Sequence, residues 1–320
     1  MRIIDSRGTD QIATVFVGEL GEGRRIEFVE SIQPPIPRET KWVLIVSVLF
    51  GCPIGCPICD AGDAYGGRLK PEELLSQIDF LIRRRYREGH VPVEKLKIQF
   101  ARMGEPALNP AVLDVIERLP EIYDAPGLIP SISTIAPQGS QRFFDRLLDI
   151  KQTLYPGGRF QLQFSIHSTD ETWRDRLIPA AKWSFDEIAR YGERFHRADD
   201  RKITLNFAWV DGAPIDSSIL REHFDPSAFL IKVTPVNPTF RAGLSKLRSF
   251  VDASDPSRSY EELRAVEEAG YDVLVSIGEV EENQIGSNCG QFVSRLDGSD
   301  FGSQDASKEG YGYWRDRLAA

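Results

Sequence analysis

Three of the four cysteines in this chain lie within eight residues, as Cys52-Pro-Ile-Gly-Cys56-Pro-Ile-Cys59. They directly follow an apolar run, residues 42–50, which is typical of a buried parallel strand. Because α/β folds bind ligands at the carboxyl ends of such strands, the sequence predicts an α/β domain with a metal-binding loop. Three thiolates suit a 4Fe–4S cluster whose fourth iron binds a small molecule. The alternatives are a zinc site completed by a distant ligand and buried thiols without a metal.

The bulk composition is that of a soluble globular protein. With 320 residues, the chain is long enough for one large domain with a small appendage. No apolar run approaches the ~18–20 residues of a membrane span, and the amino terminus lacks the apolar core of a signal peptide. We therefore expect a cytoplasmic protein without membrane contact, in a compartment where thiolates stay reduced.

The charge balance weighs against a nucleic-acid substrate. The net charge is −9 and the sequence pI is about 5.2. Proteins that embrace structured RNA usually present a basic face, since phosphate neutralisation supplies much of the affinity. The basic stretch at residues 83–87 lies on a helix whose other face is apolar, so we interpret it as solvated helix surface.

Strands and helices alternate through most of the chain, which predicts a partial (β/α)6 barrel of the TIM type. We divide the chain into an amino-terminal β-hairpin extension at 1–37, the barrel at 38–292 and a polar tail at 293–320. The predicted barrel strands lie near 42–50, 96–100, 129–134, 160–166, 203–210, 229–234 and 272–276. Helices are predicted from Pro71 and near 110–119, 140–150, 184–197, 215–223 and 259–269.

Four segments beyond the cysteine loop resemble one branch of the radical S-adenosylmethionine (SAM) superfamily, the RlmN/Cfr-type adenine methylases. Phe100-Ala-Arg-Met-Gly-Glu-Pro-Ala-Leu-Asn109 resembles their F-x-G-M-G-E-P-L-x-N segment. Phe164-Ser-Ile-His-Ser168 with Arg174-Asp-Arg-Leu-Ile-Pro179 resembles S-L-H-A…R-D-x-L-x-P. Thr234-Pro-Val-Asn-Pro238 and Asn288-Cys-Gly-Gln-Phe292 resemble I-P-x-N-P and A-C-G-Q-L. The motifs occur in the family's order, from about residue 11 to residue 292.

This resemblance implies an enzyme that cleaves SAM reductively at a 4Fe–4S cluster and forms a 5′-deoxyadenosyl radical. It assigns the cluster to Cys52, Cys56 and Cys59. A reductant of the flavodoxin or ferredoxin type is then required. From the motifs and from the strand ends together, we assign SAM binding to Gly104, Glu105, Ser131, Ser133, Ser165, His167, Asn237 and Ile58.

Elementary chemistry fits several of these roles. Glu105 follows a glycine at a strand end, where it can accept hydrogen bonds from the SAM amino group. Ser165 and His167 alternate with apolar neighbours, so both face the barrel mouth. Asn237 both donates and accepts, as an adenine edge requires. The alternative for each serine and for Asn237 is an ordinary turn residue, and for His167 a packed core histidine.

Ser131 and Ser133 end the predicted strand at 129–134, where they could bind the SAM carboxylate or ribose. Ile58 stands where the superfamily usually has an aromatic residue near the adenine. Because an isoleucine can still pack against the base, we expect a modified adenine pocket there.

Cys289 is the only thiol outside the cluster loop. In the resembled methylases the matching cysteine receives a methyl group from one SAM. A deoxyadenosyl radical from a second SAM then abstracts hydrogen from it, and the product crosslink is broken by a resolving cysteine. Cys289 is therefore interpreted as a methyl carrier, with a hydrogen-atom donor or a buried structural cysteine as alternatives.

Two departures from the family direct the expectation towards a small-molecule substrate. The position of the resolving cysteine is Ile45, and no spare thiol remains. The family's amino-terminal RNA-binding helical domain and its general base have no counterpart in the ten or so residues before the hairpin. We expect one-carbon transfer to a non-ribosomal substrate. The alternatives are a hydrogen-abstracting isomerase, epimerase or lyase, an RNA adenine methyltransferase, and a non-catalytic metal-binding protein.

Overall fold

A computed structural model describes residues 1–62, 65–255 and 257–288. Cys289 and the predicted tail at 293–320 lie outside the described residues. The described strands are β1 (Arg2–Gly8), β2 (Ala13–Glu19), β3 (Arg25–Ser31), β4 (Trp42–Val46), β5 (Leu49–Phe50), β6 (Gly67–Arg68), β7 (Leu96–Phe100), β8 (Leu128–Thr134), β9 (Gln161–Ser165), β10 (Ile203–Ala208), β11 (Phe229–Thr234) and β12 (Val273–Val275). The described helices are α1 (Pro71–Arg85), α2 (Ala111–Ile122), α3 (Gln141–Leu154), α4 (Glu171–Leu177), α5 (Phe185–Phe195), α6 (Ser217–His223), α7 (Phe240–Leu244), α8 (Arg264–Glu268) and α9 (Val280–Ile285).

Ten strands form one sheet in the order β1-β2-β3-β4-β7-β8-β9-β10-β11-β12. From β4 onward every neighbouring pair is parallel, whereas β1 to β4 pair antiparallel. Parallel strands that follow chain order with helices between them are the signature of a βα-barrel. The prediction of a mixed α/β fold with a partial parallel barrel is confirmed.

The two faces of the parallel strands differ in chemistry. Residues such as Leu44, Ile98 and Phe164 are fully buried and pack against the helices as one core. The residues that alternate with them face the other way, because successive side chains of a strand point to opposite faces. This second face, the concave face, is the one that points away from the helices. Its side chains are mostly polar, including Gln99, Gln163 and Ser165, and polar side chains there could bind a polar ligand.

Local sequence signals account for the helix starts. α1 begins at Pro71, whose missing N–H costs nothing in the first turn, and Glu73 Oε2 accepts a hydrogen bond from the Lys70 N–H at 2.8 Å. In α5 Ser184 and Glu187 form the expected capping box: Ser184 N–H donates to Glu187 Oε2 at 2.8 Å, and Glu187 N–H donates to Ser184 Oγ at 3.2 Å.

The predicted hairpin in the extension is instead a three-stranded antiparallel unit that continues the barrel sheet. β1 escaped the sequence analysis because its side chains are exposed or half-buried and show no apolar alternation. Its backbone pairs with β2 along nearly its whole length, which stabilises a polar edge strand without a hydrophobic face. The predicted strand at 42–50 also breaks, since β4 ends at Val46 and residues 49–50 form a separate ladder with β6.

Candidate active site

The cysteine loop leaves the sheet just beyond β4 and β5, at the carboxyl edge of the parallel strands. Cys52 and Cys56 pack against a small apolar cluster of Ile54, Ile135 and Ile178. Cys59 N–H donates to Cys56 O at 3.1 Å and closes the end of the loop. All three thiols are half-buried, and the structure thus brings the predicted cluster residues to the predicted edge.

Burial raises the pKa of Cys52 to about 11 and that of Cys56 to about 12, and the nearby Glu105 carboxylate adds to both shifts. Thiolates in this setting need positive charge, which bound iron provides. Across residues 1–62, 65–255 and 257–288, no three His, Cys, Asp or Glu side chains converge as ligands of a single metal ion. The three neighbouring thiols of Cys52, Cys56 and Cys59 are the donor type that a 4Fe–4S cluster takes, with each thiolate on a different iron.

Gly104 and Glu105 lie directly against the cysteine loop. The backbone N–H of Glu105 helps to stabilise the Cys52 thiolate. Gly104 has φ +98°, and an added Cβ would lie 2.5 Å from Leu49 Cβ, so only glycine fits between the two segments. The glycine therefore lets the segment after β7 approach β5, which directly precedes the cysteine loop.

The Glu105 carboxylate is 5% exposed and held by three donors. Oε1 accepts from Ala107 N–H at 3.0 Å and from the Thr134 hydroxyl at 2.5 Å, and Oε2 accepts from Ile135 N–H at 3.0 Å. Burial raises its pKa to about 7, against the lowering effect of those three bonds. A cationic amine beside it would restore the charged form, because an opposite charge favours ionisation.

The predicted serines occupy neighbouring strands on the concave face. Ser131 is buried in the middle of β8, and Ser133 Oγ accepts from Gln163 Nε2 at 3.0 Å on β9. Ser165 is the last residue of β9 and pairs in register with Asn206 of β10. The three serines thus share one surface that leads to the carboxyl edge.

His167 follows β9 with φ +65°, a conformation rare outside glycine. Its Nδ1 accepts from Ala208 N–H at 3.0 Å, so the ring proton resides on Nε2. Burial, together with the Arg174 charge, lowers the pKa of His167 to about 4. The ring is therefore a neutral hydrogen-bond donor at physiological pH.

The loop of Asn237 docks onto the cysteine loop. Thr239 Oγ1 donates to Ile58 O at 3.1 Å, and the Asp60 carboxylate accepts from Arg241 N–H at 3.0 Å. Arg241 Nη2 in turn donates to Gly55 O at 3.0 Å. These bonds bring Asn237 to the predicted site.

Ile58 packs against the apolar cluster that contains Val210, Val236 and Ala242, which follow β10 and β11 in the chain. It therefore lies in an apolar wall beside the Asn237 loop, where an adenine face could rest.

Arg102 was missed by the sequence analysis. It stands where the resembled family has glycine in F-x-G-M-G-E-P, and that substitution was the available signal. Its Nη2 forms an ion pair with Glu27 Oε1 at 2.6 Å and donates to Gly286 O at 2.5 Å. Its Nη1 donates to Ser287 O at 2.9 Å and also to Asn288 O. The chain immediately before Cys289 is thereby tied to the strand end that bears Glu105.

Asn206 and Asp60 are further residues that no sequence motif indicated. Asn206 lies beside Ser165, and its buried Oδ1 accepts no hydrogen bond within the described part of the chain.

Ile45, at the position of the missing resolving cysteine, packs in one cluster with Val29 and Ile285. That position therefore lies near the segment leading to Cys289, and it offers only an apolar side chain.

Comparison with known proteins points to the class that the sequence motifs resemble, the RlmN/Cfr-type radical SAM methylases. The chain matches no protein-family profile. It is 26% identical over 290 residues to a "Probable dual-specificity RNA methyltransferase RlmN" of Desulfitobacterium hafniense, spanning 88% of this chain and 76% of that one. A protein of the same description from Thermus thermophilus is 27% identical over 183 residues, 55% of this chain and 48% of its own length.

Among solved structures, a radical SAM methyltransferase from Sphaerobacter thermophilus superposes with a TM-score of 0.67 at 19% identity, covering 91% of this chain and 80% of that one. The fold is thus that of radical SAM enzymes. In sequence the chain resembles the RlmN-type radical SAM methylases, a class that works with a 4Fe–4S cluster and SAM. None of the helices in the described ranges is long and apolar enough to cross a membrane.

Proposed function

We propose that this chain cleaves SAM at a cluster bound by Cys52, Cys56 and Cys59 and transfers a one-carbon unit through Cys289 to a small-molecule substrate. The observation that carries the proposal is the anchoring of residues 286–288 by Arg102, three positions from Glu105. Cys289 is the next residue in sequence after this anchored segment, which lies beside the strand end that bears Glu105.

When bound, the cluster supplies the electron that splits SAM into methionine and a deoxyadenosyl radical, and an external reductant replaces that electron. Glu105 accepts hydrogen bonds from the SAM ammonium with the lone pairs left on its oxygens. The neutral His167 donates a hydrogen bond to SAM from Nε2, and Asn237 contacts the adenine. Ile58 packs against the base.

Cys289 acts as a nucleophile in this scheme. Its thiolate forms a C–S bond with the methyl carbon of one SAM and releases S-adenosylhomocysteine. Hydrogen abstraction from that methyl group would then yield a carbon radical that adds to an unsaturated carbon of the substrate, and the adduct radical would lose a proton to a base and one electron to the oxidised cluster, leaving a closed-shell thioether. Ile45 cannot attack the resulting thioether. Cleavage of the C–S bond to Cys289 therefore depends on the substrate's own chemistry or on another group.

The test is an anaerobic reaction of the reconstituted protein with SAM bearing a trideuterated methyl group, followed by peptide mass spectrometry. The proposal expects deoxyadenosine formation and a deuterated methyl mass on Cys289. Cys289→Ala is the matched variant: it should keep cluster content and SAM binding and lose the label. Deoxyadenosine with unlabelled Cys289 would instead favour a hydrogen-atom donor, and the absence of any SAM cleavage would contradict the enzyme proposal.

RNA methylation is the second candidate, because the Desulfitobacterium and Thermus relatives are described as RNA methyltransferases. It is tested by incubating the reconstituted protein with SAM and ribosomal RNA, and digesting the RNA to nucleosides. Methyladenosine above the Cys289→Ala background would establish RNA as a substrate and would contradict the small-molecule proposal.

A further inference from the structure

Positive charge is concentrated in one segment beside the cysteine loop. Residues 240–248, here called the basic segment, consist of α7 and the turn that follows it, and they contain Arg241, Lys246 and Arg248. The sequence has no aspartate or glutamate between residues 226 and 251, although the net charge of the whole chain is −9. A locally basic surface therefore stands on a protein that is acidic overall.

The basic segment is attached directly to the loop that bears the thiols. Arg241 Nη2 donates to Gly55 O at 3.0 Å, and Arg241 N–H donates to Asp60 Oδ1 at 3.0 Å. Leu247 packs against the same apolar cluster as Ile58, the residue before Cys59. The basic segment therefore offers a short path of contacts from the protein surface to the cysteine loop.

The side chains on either side of Leu247 point to solvent. Lys246 and Arg248 are exposed, and neither forms an ion pair with a carboxylate of the described residues. Leu244, the last residue of α7, is 59% exposed. An exposed apolar side chain next to uncompensated charges suits a small, transient protein interface.

A second basic stretch near the cysteine loop is balanced by acidic neighbours. Arg68 and Lys70 are exposed, but Glu72 and Glu73 follow them in the first turn of α1. Glu73 also forms an ion pair with Arg24 at 3.3 Å. A negatively charged partner that approaches the cysteine loop is therefore attracted to the basic segment in preference to this stretch.

We propose that the basic segment is the docking surface for an acidic electron-transfer protein. The inference rests on the proposed function, because SAM cleavage requires an external reductant at the cluster. One electron passes from the reduced donor protein to the oxidised cluster, so the donor is oxidised by one electron and no atom is transferred. Opposite charges on the two proteins steer their encounter and orient the donor towards the cysteine loop.

RNA is also attracted to positive charge, but the basic segment fits it less well. Proteins that bind nucleic acids through phosphates typically make about 6–10 such contacts. The basic segment supplies three basic side chains, and its most exposed apolar residue, Leu244, has no role in contacting phosphates. A small interface with an acidic protein therefore accounts for more of its features.

The test measures binding of an acidic flavodoxin to the anaerobically reconstituted protein, at low and at high concentrations of sodium chloride. Affinity should fall as salt screens the charges. Lys246→Glu/Arg248→Glu should weaken binding at low salt by about tenfold, because two attractions become repulsions. Its unfolding temperature should be unchanged, since both side chains are exposed.

The matched control is Arg118→Glu/Arg197→Glu, which makes the same charge change at two exposed sites. Arg118 lies near the end of α2, before β8, and Arg197 lies just before β10, so both are towards the amino ends of the parallel strands and away from the cysteine loop. This variant should keep nearly full affinity for flavodoxin. Equal losses in the two double variants would overturn the proposal, because only the total charge would then matter.

A single-stranded RNA oligonucleotide serves as the second probe. If Lys246→Glu/Arg248→Glu loses binding to this RNA while its affinity for flavodoxin is unchanged, the docking proposal is wrong and the basic segment contacts RNA instead.

The docking proposal and the proposed function fail separately, because dithionite can reduce the cluster without a docked protein. Lys246→Glu/Arg248→Glu should form deoxyadenosine at the normal rate with dithionite and slowly with limiting reduced flavodoxin. Equal rates with flavodoxin in the variant and the unmodified protein would overturn the docking proposal alone. If flavodoxin binds as expected but dithionite yields no deoxyadenosine, the docking surface stands and the proposal of SAM cleavage fails.

Discussion

Arg102 and Glu27 form an ion pair of 2.6 Å between Nη2 and Oε1, with side chains only 2% and 0% exposed. The pair joins the strand β3 of the extension to the end of β7, and the same guanidinium holds the carbonyls of residues 286–288. One side chain thus links the amino-terminal unit, the edge where we propose that SAM binds, and the segment that precedes Cys289.

We expect Arg102→Met to loosen the segment before Cys289. Removing one partner of a buried pair leaves the Glu27 charge uncompensated, at a cost of about 3–5 kcal/mol. Hydrogen exchange should rise strongly in peptides covering 280–288, with little change in β8 or β9. The double variant Arg102→Met/Glu27→Gln, which removes both charges, should recover much of the stability but leave the segment loose.

The control is Arg146→Met, which breaks exposed ion pairs with Asp114 and Glu117. Such surface pairs contribute at most about 1 kcal/mol, so little should change. If exchange at 280–288 is the same in Arg102→Met and Arg146→Met, Arg102 does not hold the segment.

Much of this architecture could be predicted from sequence, and the failures have physical causes. The apolar strands and the cysteine loop have local signals, and β11 was predicted at its observed bounds, 229–234. The departure from glycine at Arg102 was visible, but its contacts were not, because its backbone partners at 286–288 are more than 180 residues away and only folding brings them together.

Gly104→Ala should be strongly destabilising. The new Cβ would lie 2.5 Å from Leu49 Cβ, and φ +98° is itself strained for any L-residue. Strain and overpacking together predict a loss of about 3 kcal/mol in the free energy of unfolding, measured by denaturant titration.

Gly139→Ala is the matched control for Gly104→Ala. Gly139 has φ +85° but no atom within 4 Å of an added Cβ, so it should show the backbone penalty alone, about 1 kcal/mol. Equal losses at the two positions would mean that contact with Leu49 is unimportant.

Asp60→Asn should uncouple the cysteine loop from the Asn237 loop. The Asp60 carboxylate accepts from Phe240 N–H at 3.2 Å and Arg241 N–H at 3.0 Å, and an amide can replace only one oxygen acceptor. We expect about 1–3 kcal/mol of destabilisation and weaker SAM binding at unchanged iron content, measured by anaerobic equilibrium dialysis.

The control is Asp216→Ala, which removes the Oδ1 that accepts the Ser218 and Ile219 N–H bonds at the start of α6. Because this cap is remote from the cysteine loop, SAM affinity should be unaffected. A similar loss of SAM affinity in both variants would show that general destabilisation, and not the link between the two loops, is responsible.

Lys97 should make the stability of the protein depend on pH in a defined window. Its folded-state pKa is lowered to about 7 from an ordinary value of 10.5 by burial, Lys232, Lys41, Arg201 and Lys95. Between these values the unfolded chain binds the proton and the folded chain does not, so stability rises with pH. The unmodified protein should gain up to about 1.4 kcal/mol per pH unit relative to Lys97→Met from pH 7 upward.

Below pH 7 both states are protonated, so the difference between the two proteins should become constant, with Lys97→Met the more stable. Unfolding by urea at pH 6, 7, 8 and 9 measures this difference directly, with Lys202→Met as the control that should show no such trend. A difference independent of pH across this range would mean that Lys97 keeps its ordinary pKa. The ammonium would then already have water or an acceptor around it.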